Sequence, residues 1–364
     1  MSALRFALVW VLLSAAALPA RSAQPSTPSA RNQVSAASQA TSQLSEDDQS
    51  ESKRSPIRPD QVHNPILWHP PGRIAGEDLF YGQGGKSGQP VPPFTFIEED
   101  RHGSTPKFDV RDGDGKKWRV KLGNEARPEV VASRLLWAVG YFTQDDYVLP
   151  SAEIAQIHMR RGRKYIHNGQ ITDARFACKP PGEKKIATWR WKKNAFTGTR
   201  ELNGLRVMMA LINSWDLKDE NNAVYEDKKT GRQIFLVSDT GTAFGRTGLH
   251  FTNGPSKDNL RAYVRSKFIT HKTATTVDFA TPTPSWSLLA ETLGFGVKQF
   301  LRRQHMLWIG RKIPIQDAKW IGGLLGQLSH QQLIDAFRAG NYPPEQVEQF
   351  VAVIESRIHA LNDL

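Results

Sequence analysis

The chain has 364 residues, a formal net charge of +12 and a single cysteine. One cysteine excludes an intramolecular disulfide and a cysteine-based zinc cluster, so an ordinary apolar core must stabilise the fold. A basic surface suits anionic partners, such as an anionic surface or polymer, although widely spread charge also serves solubility alone.

The first 23 residues have the layout of a secretory signal peptide. Arg5 precedes the apolar run FALVWVLLSAAALPA, and small residues follow it in the position of a cleavage zone. The run is shorter than the roughly 20 apolar residues of a spanning helix, and an uncleaved anchor is the alternative. We expect export to the periplasm or the exterior, with no transmembrane span after signal removal. Residues 24–60 are rich in Ser, Gln, Ala and Pro, which predicts a disordered linker.

Residues 61–93 are rich in Pro and Gly and predict an irregular lead-in to the folded domain. Beyond them the chain predicts β-strands, because apolar and polar residues alternate in Phe94–Asp100, in residues 107–110 and in residues 116–122. The alternation in the third strand places Lys121 on its polar side.

A helix is predicted next, because Pro128 suits a first helical position and Glu129 lies in the first turn. A second, buried helix is predicted at about residues 199–212. Two short strands joined by the turn KKTG are expected within residues 222–239. The C-terminal part, residues 286–364, predicts several helices.

The polar residues that follow one another along the chain suit phosphoryl transfer. A cation must meet nucleotide phosphates, a carboxylate must hold that cation, and an amide and a carboxylate must bind magnesium. Five features follow one another along the sequence. They are a Gly-containing turn (Gly103–Lys107), a strand lysine (Lys121), a helix glutamate (Glu129), an Asp-x-x-x-x-Asn loop (Asp216–Asn221) and an Asp-x-Gly that begins at Asp239. The alternative is that these residues only solvate strands and cap turns.

The chain resembles the HipA-type and phosphatidylinositol-kinase-like atypical kinases. GSTPK (residues 103–107) matches the G-x-x-P-K turn of that group, and residues 129–140 match its helix E-x-x-A-x-R-L-x-x-A-x-G. Residues 213–221 match the loop N-x-x-D-x-x-x-x-N. The resemblance covers about residues 94–244. It implies an α+β, two-lobed protein-kinase-like fold with a small antiparallel β lobe and a mostly helical C-terminal lobe.

The resemblance implies a small lobe at residues 94–150 and a helical lobe at residues 151–364, which carries the catalytic loop and a metal-binding hairpin. It implies ATP and Mg²⁺ as cofactors. The nucleotide-binding residues would be Gly103, Ser104, Lys107, Lys121 and Glu129, with Glu125 as the second choice for the partner of Lys121. The catalytic residues would be Asp216 and Lys218, and the metal ligands Asn221 and Asp239. Trp215, Lys218 and Thr240 depart from the family pattern.

The sequence therefore predicts an exported kinase that transfers the γ-phosphoryl group of ATP to a protein, glycan or lipid hydroxyl. The alternative is a catalytically inactive kinase fold that binds an anionic ligand at the cell envelope. No nucleic-acid partner is expected, since only the basic residues 179–194, which include Trp189 and Trp191, favour one.

Overall fold

The structure is a computed structural model that describes residues 55–178, 183–214, 216–246, 257–280 and 306–364. The predicted signal peptide and most of the predicted linker lie outside the described residues. Within the described ranges, no helix combines the length and the apolar character that crossing a bilayer requires. The chain is a mixed α+β structure, as predicted, and its described residues form helices and three separate sheets.

The first sheet closes on itself as a five-stranded barrel. β2 (Phe94–Asp100), β3 (Lys107–Arg111) and β4 (Lys117–Lys121) are antiparallel neighbours. β2 also pairs in parallel with β5 (Asp145–Ala155), and β5 pairs with β7 (Gln170–Cys178). β7 in turn pairs with β4, which completes the ring. The short strand β6 (Ile166–His167) extends the edge of β7.

Alternation along the strands fills this barrel with apolar side chains. Trp118 and Val120 of β4 are fully buried, and Phe108 and Phe176 belong to the same core. The indole Nε1 of Trp118 donates to the carboxylate of Asp112 at 2.7 Å, so the turn between β3 and β4 is bonded to the core. The predicted outward face of β4 therefore carries the charged residues.

The barrel extends beyond the predicted lobe boundary at residue 150. That boundary falls within β5, and the sheet continues to Cys178. The sheet is mixed, not antiparallel as predicted, because β2 and β5 run side by side in the same direction. Residues after 150, which the sequence predicts in a helical lobe, thus belong in part to the barrel, where Ala152 and Ile154 of β5 and Ala174 and Phe176 of β7 recur at alternate positions.

Helix α1 (Ala126–Ala138) packs against β5 and β7. It begins at Ala126, two residues before the predicted start, so Pro128 lies in the first turn, where a backbone N–H has no helical acceptor to lose. Gly140 follows the helix with φ of 93°, a conformation that favours glycine. A Cβ at this position would lie 2.1 Å from the carbonyl oxygen of His69. The helix therefore ends where the sequence predicts, against the lead-in segment.

The second sheet has the strand order β1-β10-β9-β8. β8 (Glu183–Ala187), β9 (Asn222–Asp227) and β10 (Gln233–Val237) are antiparallel, and β1 (Pro65–Ile66) joins β10 in parallel. The predicted lead-in thus contributes a strand to this sheet. Between β8 and β9 lies α2 (Arg200–Leu211), whose first turn is capped by the hydroxyl of Thr199.

The remaining helices and strands pack around the larger apolar core, which lies outside the barrel. They are α3 (Leu260–Val264), β11 (Ile269–Lys272), β12 (Thr276–Phe279), β13 (Ile313–Pro314), α4 (Ile315–Leu325), α5 (His330–Ala339) and α6 (Pro344–Asn362). The lead-in is bonded to these helices, because Gln332 of α5 donates to the carbonyls of Ile74 and Glu77 at 2.8 and 2.9 Å. Trp68 also packs edge-on against Trp320 of α4, with ring centroids 5.2 Å apart.

Candidate active site

Lys121 stands at the centre of a buried cluster of charges. Its Nζ lies 2.7 Å from Oε2 of Glu129 on α1 and 3.2 Å from Oδ1 of Asp239, which follows β10. Oε2 of Glu125, immediately before α1, is 3.7 Å away. The structure thus brings together the predicted lysine, both candidate glutamate partners and the predicted metal-binding aspartate. Residues from a strand, a helix and the end of a hairpin converge on one ammonium group.

The charges of this cluster depend on one another. Burial opposes the charged form of Lys121, but Asp239, Glu129 and Glu125 outweigh it and raise the pKa of the ammonium above its usual range. Burial would raise the pKa of Asp239, yet Lys121, which also donates a hydrogen bond, and then Arg175 lower it to about 2. For Glu129 burial prevails over Arg175 and Lys121, and its pKa is raised to about 6. Lys121 and Asp239 are therefore a stable ion pair, whereas Glu129 takes up a proton in mildly acidic solution.

A second buried cation, Arg175 of β7, contacts the far side of Glu129. Its Nη1 lies 3.4 Å from Oε1 of Glu129, and its Nε donates to Asp146 at 3.1 Å. Asp146 in turn accepts from Nη1 of Arg134 on α1 at 2.9 Å. These ion pairs bind α1 to β5 and β7, and they fix the position of Glu129. The sequence analysis missed Arg175, although a charged residue within a strand of apolar residues is a sign of a buried ion pair.

Gly241 allows the Asp-Thr-Gly turn to approach the start of α1. A Cβ there would lie 2.8 Å from Cβ of Glu125 and 3.0 Å from its carbonyl oxygen. The backbone N–H of Gly241 also donates to Oδ1 of Asp239 at 3.4 Å. A side chain at position 241 would therefore push Asp239 away from Lys121.

The loop that carries Asp216 and Asn221 lies beside Asp239. Nδ2 of Asn221 donates to the carbonyl of Asp216 at 2.7 Å, which closes the loop. The carbonyl of Asn221 accepts from the backbone N–H of Ser238 at 2.8 Å and from its hydroxyl at 3.0 Å. Lys218 donates to Oδ2 of Asp216 at 2.7 Å. Asn221 thus connects the backbone of Asp216 with Ser238, the residue that precedes Asp239.

The predicted phosphate-binding turn reaches the cluster through a residue that was not predicted. Oγ1 of Thr105 donates to Oε2 of Glu125 at 2.7 Å. Gly103, with φ of 73°, and Ser104 are exposed at the tip of the turn. Lys107 does not join the cluster, because its Nζ pairs with Asp100 at 3.2 Å. Lys107 thus has a partner on the neighbouring strand, and its predicted contact with the nucleotide stays a prediction.

Lys257 completes the surroundings of Glu125. Its Nζ donates to Oε1 of Glu125 at 2.6 Å, while Oε2 accepts from Thr105. One carboxylate thus joins the turn, the start of α1 and the segment that leads into α3. No motif marks Lys257, because its partner lies 132 positions earlier in the chain.

The predicted magnesium ligands provide the donors that this ion prefers. Among the described residues, no three His, Cys, Asp or Glu side chains form a metal-binding group. The predicted pair is instead an amide and a carboxylate, and the bond from Nδ2 of Asn221 to Asp216 leaves Oδ1 as the ligand atom. The side chain of Asp239 is 40% exposed, so it remains accessible. Magnesium commonly keeps several waters and binds substrate phosphates, so two protein oxygens fit it.

Two other features lie apart from the cluster. Trp189 and Trp191 are buried, with 1% and 2% of their surface exposed, so they cannot stack on nucleobases as the basic stretch suggested. A cavity of about 520 Å³, lined by residues that include Val264, Phe268 and Arg357, shares no residue with the cluster.

No protein-family description matches the chain, and no curated protein matches it. Among solved structures, the chain is similar to the Helicobacter pylori proinflammatory kinase CtkA, with 10% sequence identity and a TM-score of 0.42. The match covers 74% of this chain and 95% of that chain.

Proposed function

We propose that the chain is a kinase-like phosphotransferase of the HipA type, which uses ATP and Mg²⁺ to phosphorylate a hydroxyl group on a protein, glycan or lipid. The observation that carries this proposal is the convergence of Glu129 and Asp239 on Lys121, beside the loop of Asp216. The barrel with α1 would be the small lobe, and the helices around α2 and α6 the large one. Export through the N-terminal segment is part of the same proposal.

Lys121 would contact the nucleotide phosphates. Its ammonium group is held in one place by Glu129, and the raised pKa keeps it charged at every physiological pH. Such a fixed positive charge stabilises the charge that develops on the transferred phosphoryl group. The tip of the turn at Gly103 and Ser104 is exposed and would cover the phosphates from the other side.

Asp216 would accept the proton of the incoming hydroxyl group. Lys218 donates to its carboxylate at 2.7 Å and would make a second contact with the phosphate. Asn221 and Asp239 would hold magnesium, which supplies positive charge to the phosphates when bound. The hydrogen bonds from Ser238 to Asn221 keep these groups side by side.

The test is phosphoryl transfer from γ-labelled ATP with magnesium. We expect transfer of labelled phosphate from ATP with the wild type and with Asp114→Asn. Asp114 lies in the exposed turn between β3 and β4, and this variant is the control. Asp216→Asn and Asp239→Asn should each lose about a hundredfold or more of the activity. Magnesium and ATP together should raise the melting temperature of the wild type. Labelling that is equal in all four proteins, or a wild type with neither labelling nor a thermal shift, would refute the proposal.

A catalytically inactive fold that binds an anionic ligand is the second candidate. The observation that favours it is the bond from Lys218 to Asp216, since Oδ2 of the predicted base is already occupied by an ammonium group. This candidate predicts a thermal shift with an anionic ligand but no labelling. The Lys218→Met variant separates the two, because only a true kinase changes its rate of transfer.

A further inference from the structure

A basic strip that the sequence analysis did not single out adjoins the predicted phosphate-binding turn. It lies in the loop after β5, with the sequence HMRRGRK at residues 158–164. The side chains of Arg160, Arg163 and Lys164 are exposed, and so is that of Arg101 at the start of the turn. We name these four residues the basic rim.

The loop is fixed to the turn by hydrogen bonds. The carboxylate of Glu99 on β2 accepts the backbone N–H groups of Arg160 and Arg161 at 2.8 and 3.0 Å. The guanidinium of Arg161 donates to the carbonyls of Gly103 at 2.6 Å and Asp100 at 2.8 Å. Arg161 is therefore structural, and it holds the neighbouring exposed cations beside the tip of the turn.

Close packing adds to these bonds. Gly162 has φ of 74°, and a Cβ there would lie 2.6 Å from Cβ of Pro106 in the turn. The backbones of loop and turn thus approach as closely as a glycine allows. The rim consequently has a defined position relative to Ser104 and Thr105.

The charge of this surface is strongly positive. Residues 99–107 and 158–164 contain six Lys or Arg side chains and two acidic ones, a net charge of +4. Both acids are engaged within the fold, because Glu99 accepts the two N–H groups and Asp100 pairs with Lys107 and Arg119. Anionic groups of a partner would therefore meet cations at the outer face of the loop.

The chemistry of the rim favours carboxylates on a polypeptide over a lipid surface or a nucleic acid. The exposed large hydrophobic residues of the described ranges are Val91 and Val264, and none of the four rim residues carries an aromatic ring for base stacking. Neither valine belongs to the rim, so it lacks an apolar group to insert into a bilayer. Arginine presents a planar fork of N–H donors that matches a carboxylate in two-point contact.

We propose that the basic rim docks an acidic polypeptide segment, and that the phosphoryl acceptor is a serine or threonine flanked by Asp or Glu. The second half of this statement rests on the proposed kinase function, and the docking half does not. In the transfer, the hydroxyl oxygen forms a bond to the γ-phosphorus, the bond to the β-phosphate oxygen breaks, and ADP leaves. The hydroxyl proton passes to Asp216.

The test uses a fluorescein-labelled peptide with one serine between runs of glutamate, and a matched peptide with glutamine in place of glutamate. The rim variant is Arg160→Glu/Arg163→Glu/Lys164→Glu, which spares Arg161. The control variant is Lys228→Glu/Lys229→Glu/Arg232→Glu, which makes the same change of charge at exposed positions between β9 and β10. Fluorescence anisotropy measures binding, labelled ATP measures transfer, and the melting temperature with magnesium and ATP reports the nucleotide site.

We expect the acidic peptide to bind the wild type and the control variant alike, more weakly as salt rises. The rim variant should bind it about tenfold more weakly or worse, with an unchanged nucleotide-dependent thermal shift. Equal weakening in the two variants, or equal binding of both peptides, would overturn the proposal. So would binding to anionic lipid vesicles or heparin without binding to the acidic peptide. Docking of a peptide that is never labelled would uphold the docking half and overturn the acceptor, and the thermal shift would then show whether the nucleotide site itself had failed.

Discussion

Replacing Glu129 by glutamine should stabilise the protein at neutral pH and remove the thermal stabilisation by nucleotide that the proposed function predicts. The side chain lies fully buried between Lys121 and Arg175, and glutamine has almost the same shape. Burial raises the pKa of Glu129 to about 6 in spite of both cations, so the fold prefers the protonated form. Glutamine mimics that form at every pH.

The magnitude follows from the two pKa values. An unfolded glutamate titrates at about 4.5 and the folded one at about 6, which corresponds to about 2 kcal/mol of unfolding free energy. Below pH 4.5 Glu129 is protonated in both the folded and the unfolded state, and the stabilisation that comes from its raised pKa is fully present. Between pH 4.5 and 6 the folded state keeps a proton that the unfolded state releases, so wild-type stability falls as pH rises. The Glu129→Gln variant has no proton to release, so its unfolding free energy does not fall in this way. Between pH 4.5 and 7.5 the unfolding free energy of the variant should therefore rise by about 2 kcal/mol relative to that of the wild type.

Urea unfolding followed by tryptophan fluorescence at pH 4.5 and 7.5 measures the effect. Glu153→Gln, at an exposed position of β5, is the matched control and should change neither value. Nucleotide-dependent thermal stabilisation should disappear in Glu129→Gln, because Lys121 loses its closest anionic partner. A variant that is about 3–5 kcal/mol less stable than the wild type at pH 7.5 would show that pairing outweighs desolvation, and would refute the reasoning.

Four further substitutions test the packing around the cluster and in α4. Gly241→Ala should lower the melting temperature and the nucleotide-dependent shift, since the new Cβ would lie 2.8 Å from Cβ of Glu125; unchanged values would contradict this packing. Gly323→Ala in α4 faces open space and should instead stabilise the protein by about 0.5–1 kcal/mol, as measured by urea unfolding. Thr105→Val and Lys257→Met each remove one bond to Glu125, so hydrogen exchange of the turn should quicken in both; equal protection in variant and wild type would exclude a positioning role.

The sequence predicts the part of the site whose residues lie on neighbouring elements of the chain. Lys121 alternates with buried residues of β4, and Glu129 lies in the first turn of the helix that follows that strand, so proximity follows from the local geometry of strand and helix. Asp239 required the longer inference that a hairpin returns the chain to the loop of Asn221, and the bonds from Ser238 bear it out.

Other contacts could not be predicted because they depend on how distant elements pack. Lys107 directly opposes Lys121 in the sheet, yet it pairs with Asp100, since the adjacent strand offers a closer carboxylate. Arg175 enters the site only because β7 returns to close the barrel on β4. Trp189, placed among lysines in the sequence, is buried, and its indole donates to the carbonyl of Leu236 at 2.9 Å. Burial of that kind follows from tertiary packing and leaves no periodic pattern.

The lead-in, residues 61–93, contacts parts of the molecule that are remote from one another in sequence. Pro65 and Ile66 align with β10, directly ahead of Asp239, while Gln332 holds the carbonyls of Ile74 and Glu77. A fragment that begins at Phe94 would lack β1, so the edge of β10 would be unpaired there. It would also lack Trp68, which packs on Trp320, and the two carbonyls that accept hydrogen bonds from Gln332 of α5. We therefore expect a truncated chain to keep these contacts only if it begins upstream of Pro65.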